Sequence, residues 1–165
     1  MALEAVSLIS SPICGSKWPG SGGSGNYSSS YPSRGGGVIR VFASGDALIN
    51  GFLRADGANA GSYAGAGAGG TVLLQCRTLN GADGVVSVDG GTAVSPDSPG
   101  LRGGGGGGGR IAVWRRAGDA EAVCTVDGGV GGLNEDQPDY EAYCGEGGTV
   151  VWGWLPQTGT TLLLR

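Results

Sequence analysis

Four times along the chain a pair of glycines runs directly into an alternating apolar segment: GGVIRV from Gly36, GGTVLL from Gly69, GGRIAV from Gly108 and GGTVVW from Gly147. The first three of these units close on an Asp-Gly pair, at Asp56, Asp89 and Asp127. The distance from junction to closure is nearly fixed: 20 residues from Gly37 to Gly57, 20 from Gly70 to Gly90 and 19 from Gly109 to Gly128. The distance between junctions is not, being 33 residues from Gly37 to Gly70 and 39 from Gly70 to Gly109. A constant core with a variable connection is the pattern of a repeat. Repeated sequence is most simply repeated position, so the units are expected to stack.

Within each unit two short strands are expected. The first carries Ile39 and Val41, then Val72, Leu74 and Cys76, then Ile111 and Val113, then Val150 and Trp152. The second carries Leu53 and Ala55, Val86 and Val88, and Cys124 and Val126. In every set the apolar residues are two apart, which places them on one face of a strand. The intervening positions, among them Arg40, Gln75, Trp114, Arg54 and Ser87, are mixed and read as outward. Turn chemistry separates the strands (SGDALINGF, TLNGAD, AGDAEA). A two-strand unit cannot bury its apolar face alone, whereas a stack of them can. The expected fold is therefore all-β, a glycine-rich parallel β-solenoid of about four two-strand units, with an antiparallel β-sandwich of hairpins as the alternative. The domain reading is a single repeat domain over 1–165. It divides into an opening strand and a Ser/Gly/Pro loop over 1–34, units over 35–66, 67–105 and 106–144, and a degenerate C-terminal unit or cap over 145–165. Ala5–Ile9 and Thr160–Leu164 are the candidate first and last strands. The glycine-rich connections are expected at the surface, where length variation costs little, with the seven glycines Gly103–Gly109 either packed as a side layer or projecting as a loop tip.

Composition excludes several classes. The chain has 38 glycines, about three times the average share, but no strict third-residue period, so it is not collagen. The net charge is −4, with no histidine. A mildly acidic chain with a single lysine, Lys17, is a poor partner for nucleic acid or an anionic membrane. No apolar run approaches the length of a membrane span. The N-terminal MALEAVSLISSPICG has Glu4 where a secretion signal needs basic residues, so the chain reads as either cytosolic or a fragment of a longer secreted protein, and the repeats favour the fragment.

The stretches GAGAGGTVLL, VVSVDGG and GGGGGGGRIAVW resemble the glycine-rich repeats of large secreted or cell-surface proteins of bacteria and plants. In those repeats GGxGGTI-like and GGGGGGRI-like junctions alternate with ANGG-like turns. The resemblance covers roughly residues 34 to 152 and implies a β-solenoid-like fold in an extracellular or cell-surface setting. It brings no catalytic residues. This chain has VDG or ADG where the pattern has ANG.

Candidate sites are few. Gly103–Gly109 is not a phosphate loop, because it lacks the GK[ST] ending and leads into a strand rather than a helix. Stacking would align Asp56, Asp89 and Asp127 in a column. That column is a weak calcium candidate set against carboxylates that accept nearby backbone N–H groups in Asx-type turns. Arg54 and Trp114 are candidate ligand contacts for a carbohydrate, with Arg54 sharing an outward face with the aspartates. Trp18, Trp114, Trp152 and Trp154 all read more simply as core or cap residues than as sugar platforms. Thr71 and Thr149 share a repeat position, but Val38 and Arg110 share it too, which breaks the flat threonine rank an ice-binding face needs. Cys76 and Cys124 fall on inward positions and read as core. Cys14 and Cys144 lie in loops and are the disulfide candidates. No pair has CxxC spacing, and no histidine is present to activate a thiol or complete a zinc site. The functional expectation is a structural or adhesive module with no enzyme activity and no cofactor. Its expected partners are extracellular polysaccharide or neighbouring repeats of the same protein; the alternative is a non-catalytic carbohydrate-binding module, with a polysaccharide-active enzyme a more distant one.

Overall fold

The computed structural model describes residues 18–25, 33–61, 64–93, 103–119, 122–132 and 143–156. Ala5–Ile9, Cys14 and Thr160–Leu164 lie outside the described residues. The fold is all-β, and every pairing between described strands is parallel. The antiparallel sandwich is thereby excluded for these strands.

The glycine junctions deliver β1 (Val38–Phe42), β4 (Thr71–Cys76), β7 (Arg110–Arg115) and β9 (Thr149–Trp154), which form one sheet in the order β1-β4-β7-β9. The register is that of the repeat: Ile39 pairs with Val72, Val72 with Ile111 and Ile111 with Val150. β3 (Phe52–Arg54), β6 (Val85–Ser87) and β8 (Val123–Thr125) form a second sheet in chain order, with Leu53, Val86 and Cys124 in register. The segment expected as a plain turn contains a further ladder, in which β2 (Ala47–Leu48) pairs with β5 (Leu79–Asn80). Alternation here is only two residues long, too short to signal a strand against the Gly, Asp and Asn around it.

The inward faces of the two larger sheets share one core. Val72, Val86, Val88, Leu79, Ile111 and Val113 are fully buried there, joined by Leu74 and Cys76, with Ile39, Val41, Leu53 and Cys124 packed against them. β-Branched residues at alternate positions fit this pleated, half-buried surface, which is why these short runs form strands. The outward face of the first sheet is less open than its mixed composition implies: Thr71, Leu73 and Ala112 are also buried. Parallel sheets are commonly covered on both faces.

The described parts of the glycine-rich connections, Gly103–Gly109 among them, do not project. They form a layer of hydrogen-bonded backbone beside the core. Outgoing segments follow β3, β6 and β8, and return segments precede β4, β7 and β9. Their amides and carbonyls make one continuous chain: Ala58 N donates to Arg34 O, Gly67 N to Ala58 O, Gly91 N to Gly67 O, Gly106 N to Gly91 O, Gly129 N to Gly106 O and Gly145 N to Gly129 O, all at 2.8–3.0 Å. Like segments also bond directly, as in Gly69 N to Gly107 O and Gly90 N to Asp127 O, both 2.8 Å. Segment 18–24 runs along the same layer, with Gly20 N donating to Gly36 O and Ala68 N donating to Ser21 O. Four alanines, Ala60, Ala64, Ala66 and Ala93, form a small buried cluster within these segments.

Space rather than backbone torsion demands glycine in this layer. Only Gly81 and Gly118 have φ in the left-handed region among the described glycines. A Cβ on Gly106 would overlap Gly67 O, one on Gly129 would overlap Gly91 O, and one on Gly109 would overlap Gly70 O. Gly104 and Gly107, in the same seven-residue run, would accept a Cβ at ordinary contact distance, 3.7 Å from Tyr143 O and 3.6 Å from Glu146 O. Glu146 and Ala68 occupy the positions equivalent to Gly107 in the neighbouring units, so the sequence already places side chains where there is room for them.

Candidate functional site

The first candidate, the aspartate column, forms as a ladder between units. The Asp56 carboxylate accepts the backbone N–H of Asp89 through Oδ1 at 2.9 Å, and the Asp89 carboxylate accepts that of Asp127 at 2.8 Å. Hydroxyls fill the space between the acids. Thr125 Oγ1 donates to Asp89 Oδ2 at 2.9 Å. Ser87 Oγ, itself buried, lies between Asp56 and Asp89 and has one proton to give, so it serves one carboxylate at a time. Asp56 and Asp89 therefore each bond the next unit instead of closing their own Asx turns. Ser87 and Thr125 sit two residues before the next aspartate, and strand periodicity turns them to the same side. Asn59 repeats the device three residues further on, with Oδ1 accepting Thr92 N at 2.8 Å. The described residues contain no group of three or more His, Cys, Asp or Glu placed to hold a metal.

Arg54 and Trp114, the two candidate ligand contacts, do not share a face. Arg54 belongs to β3 and lies over the Phe52 ring at 4.6 Å, beside the aspartate ladder. Trp114 belongs to β7 on the other large sheet. It is half-buried, and its ring covers Gly153 of β9 so closely that a Cβ there would overlap it. Its Nε1 is buried without a hydrogen-bond partner. A glycine in a strand that otherwise reads TVVWGW is the sequence trace of that close approach.

The other tryptophans depart from the core reading. Trp152 and Trp154, on the last described strand, are 44% and 60% exposed, and the Arg115 guanidinium stacks on them at 5.7 and 4.6 Å. Trp18 is 77% exposed, yet its backbone is fixed: Thr71 Oγ1 donates to Trp18 O at 3.1 Å. Beside Trp18 lies an open groove of about 310 Å³ that crosses three units at their glycine junctions. Trp18 and Pro19 form one side, Thr71, Arg110 and Thr149 line it further, and the floor is bare junction backbone from Gly69, Gly70, Gly108, Gly109 and Gly148. Arg110 Nε donates to Thr149 Oγ1 at 3.2 Å. Sequence reasoning passed over this groove because Trp18 is separated from Arg110 by more than 90 residues, and nothing in the Ser/Gly/Pro stretch indicates which junction it meets.

The single ion pair among the described residues lies at the turn. Arg77 donates to Asp46 through Nε at 2.9 Å and Nη2 at 2.6 Å, tying the second unit to the first. Those hydrogen bonds, with that of Thr78, hold the Asp46 carboxyl down at about 2. Cys76 and Cys124 are core thiols whose pKa burial pushes up, Cys76 also feeling Asp46, which disfavours the nucleophilic thiolate. Cys144 is half-buried at the start of the last return segment.

No family model matches the chain, and neither does any curated protein or solved structure. No helix of the described residues is long and apolar enough to cross a membrane.

Proposed function

We propose that the chain is a short glycine-rich parallel β-solenoid and that it serves as a structural or adhesive module of a cell-surface or extracellular protein. The observation that carries this reading is the in-register repetition of three independent locks between successive units. The parallel ladders, the aspartate ladder and the glycine layer all recur at the same repeat positions. Force along the stack then loads many backbone hydrogen bonds at once, which is what a stiff spacer requires. Optical-tweezer extension of the chain held at its two ends tests it. The expected trace is an abrupt cooperative release. A smooth polymer-like extension from low force, as for a flexible glycine linker, would contradict the reading.

A second reading, a non-catalytic carbohydrate-binding module, is favoured by one specific observation: the exposed Trp18 indole held by a fixed backbone beside an open groove. Retention on immobilised polysaccharides separates this reading from a spacer alone.

A further inference from the structure

We infer that the groove beside Trp18 is a binding site for an extended acidic polysaccharide, with a pyranose ring stacked on the Trp18 indole and a uronate carboxylate held by Arg110. The inference deepens the carbohydrate-binding reading and is independent of the spacer reading.

Four features support it. First, the indole is displayed rather than stored. A side chain 77% exposed is not filling core, while the Thr71 bond to Trp18 O and the Gly20 bond to Gly36 O keep its backbone in place. Anchoring the backbone lowers the entropy lost on binding, and the apolar face of the indole matches the C–H face of a sugar ring. Second, the groove floor carries no side chains. Five junction glycines line it with backbone alone, so a ribbon-like chain can approach that backbone closely, and at Gly69, Gly108 and Gly109 no larger residue fits because a Cβ would meet neighbouring carbonyls. Third, the groove crosses three stacked units, so it is elongated along the stack and suits a polymer better than a compact ligand. Fourth, Arg110 is exposed, and no carboxylate among the described residues pairs with it. Its Nε is directed to Thr149 Oγ1, which orients the guanidinium and leaves the terminal nitrogens to bind an anion. A planar guanidinium recognises a carboxylate through two parallel N–H···O bonds.

The test is affinity electrophoresis through gels containing either a polyuronate or a neutral glucan, with melting temperature as the folding control. The wild-type chain is expected to be retarded by the polyuronate at low salt. Trp18→Ala and Arg110→Ala should each weaken retention at least tenfold while melting as the wild type does. Trp114→Ala, whose ring covers Gly153, should leave retention unchanged. Retention that survives Trp18→Ala overturns the site while leaving the carbohydrate reading standing. Absence of retention on both polymers overturns both. Equal retention by neutral glucan, unaffected by Arg110→Ala, overturns the assignment of Arg110 to a carboxylate.

Discussion

The two sides of each unit are held by opposite means. On the strand side, Val72, Leu74, Ile111, Val86 and their neighbours fill a core, and identity matters through what each side chain occupies. On the glycine side, Gly67, Gly91, Gly106, Gly129 and Gly145 succeed one another through backbone hydrogen bonds, and identity matters through what is missing. The strand side draws on apolar burial at about 25 cal/mol per Å². On the glycine side, the buried apolar cluster among the described residues consists of four alanines. That side is stabilised instead by satisfying backbone groups that would otherwise be costly to bury. A chain this rich in glycine loses much backbone entropy on folding, and the strand core offsets that loss. Neither side is expected to persist without the other.

This comparison can be broken at either side. The largest effect is expected from Gly129→Ala, where the new methyl meets Gly91 O and no rotamer can relieve the overlap. A loss of about 4 kcal/mol is expected by chemical denaturation, at the upper end for single substitutions. Leu74→Ala, which removes a side chain 2% exposed in the shared core, should cost about 3 kcal/mol by the same measurement. Ser87→Ala removes the hydroxyl between Asp56 and Asp89 and should cost about 1–2 kcal/mol. A loss close to zero would show that the aspartate ladder contributes through its backbone bonds alone.

The smallest effect is a pH dependence. The Asp46 carboxyl is held below its ordinary value in the folded chain, so the Arg77 pair contributes fully above about pH 4 and fades as pH falls towards 2. In titrations of stability from pH 4 to 2, Asp46→Asn should show a shallower decline than the wild type. Both partners are exposed, so the difference in slope should be small and should shrink further at high salt.

The strand side was legible in the sequence because its signal is positive. Ile39, Val72, Ile111 and Val150 recur at one offset from a glycine junction, and parallel stacking puts them in register. The aspartate column was legible as an alignment, but its partners were not. An Asx turn within the unit and a bond to the next unit need the same residue at the same place, and only the rise between units distinguishes them. The glycine layer was legible only as a possibility. A run such as Gly103–Gly109 has the same composition whether it packs or projects, because no side chain reports its environment. The groove was not legible at all, since it depends on where Trp18 lands on the junctions of units far along the chain. For Trp114 the sequence left a sugar platform and a packing role both open, and the packing against Gly153 depends on the neighbouring strand.

The most direct test of the account lies within one glycine run. Gly106 and Gly107 are adjacent and identical, and no composition argument distinguishes them. The structure does: a Cβ on Gly106 would overlap Gly67 O, whereas one on Gly107 has no atom nearer than Glu146 O at 3.6 Å. Thermal melting of Gly106→Ala and Gly107→Ala against the wild type should give a drop of about 10 °C for the first. For the second, no drop or a small rise is expected, since alanine restricts the unfolded chain. Equal melting temperatures for the two variants would contradict a packed glycine layer and restore the run to a projecting loop.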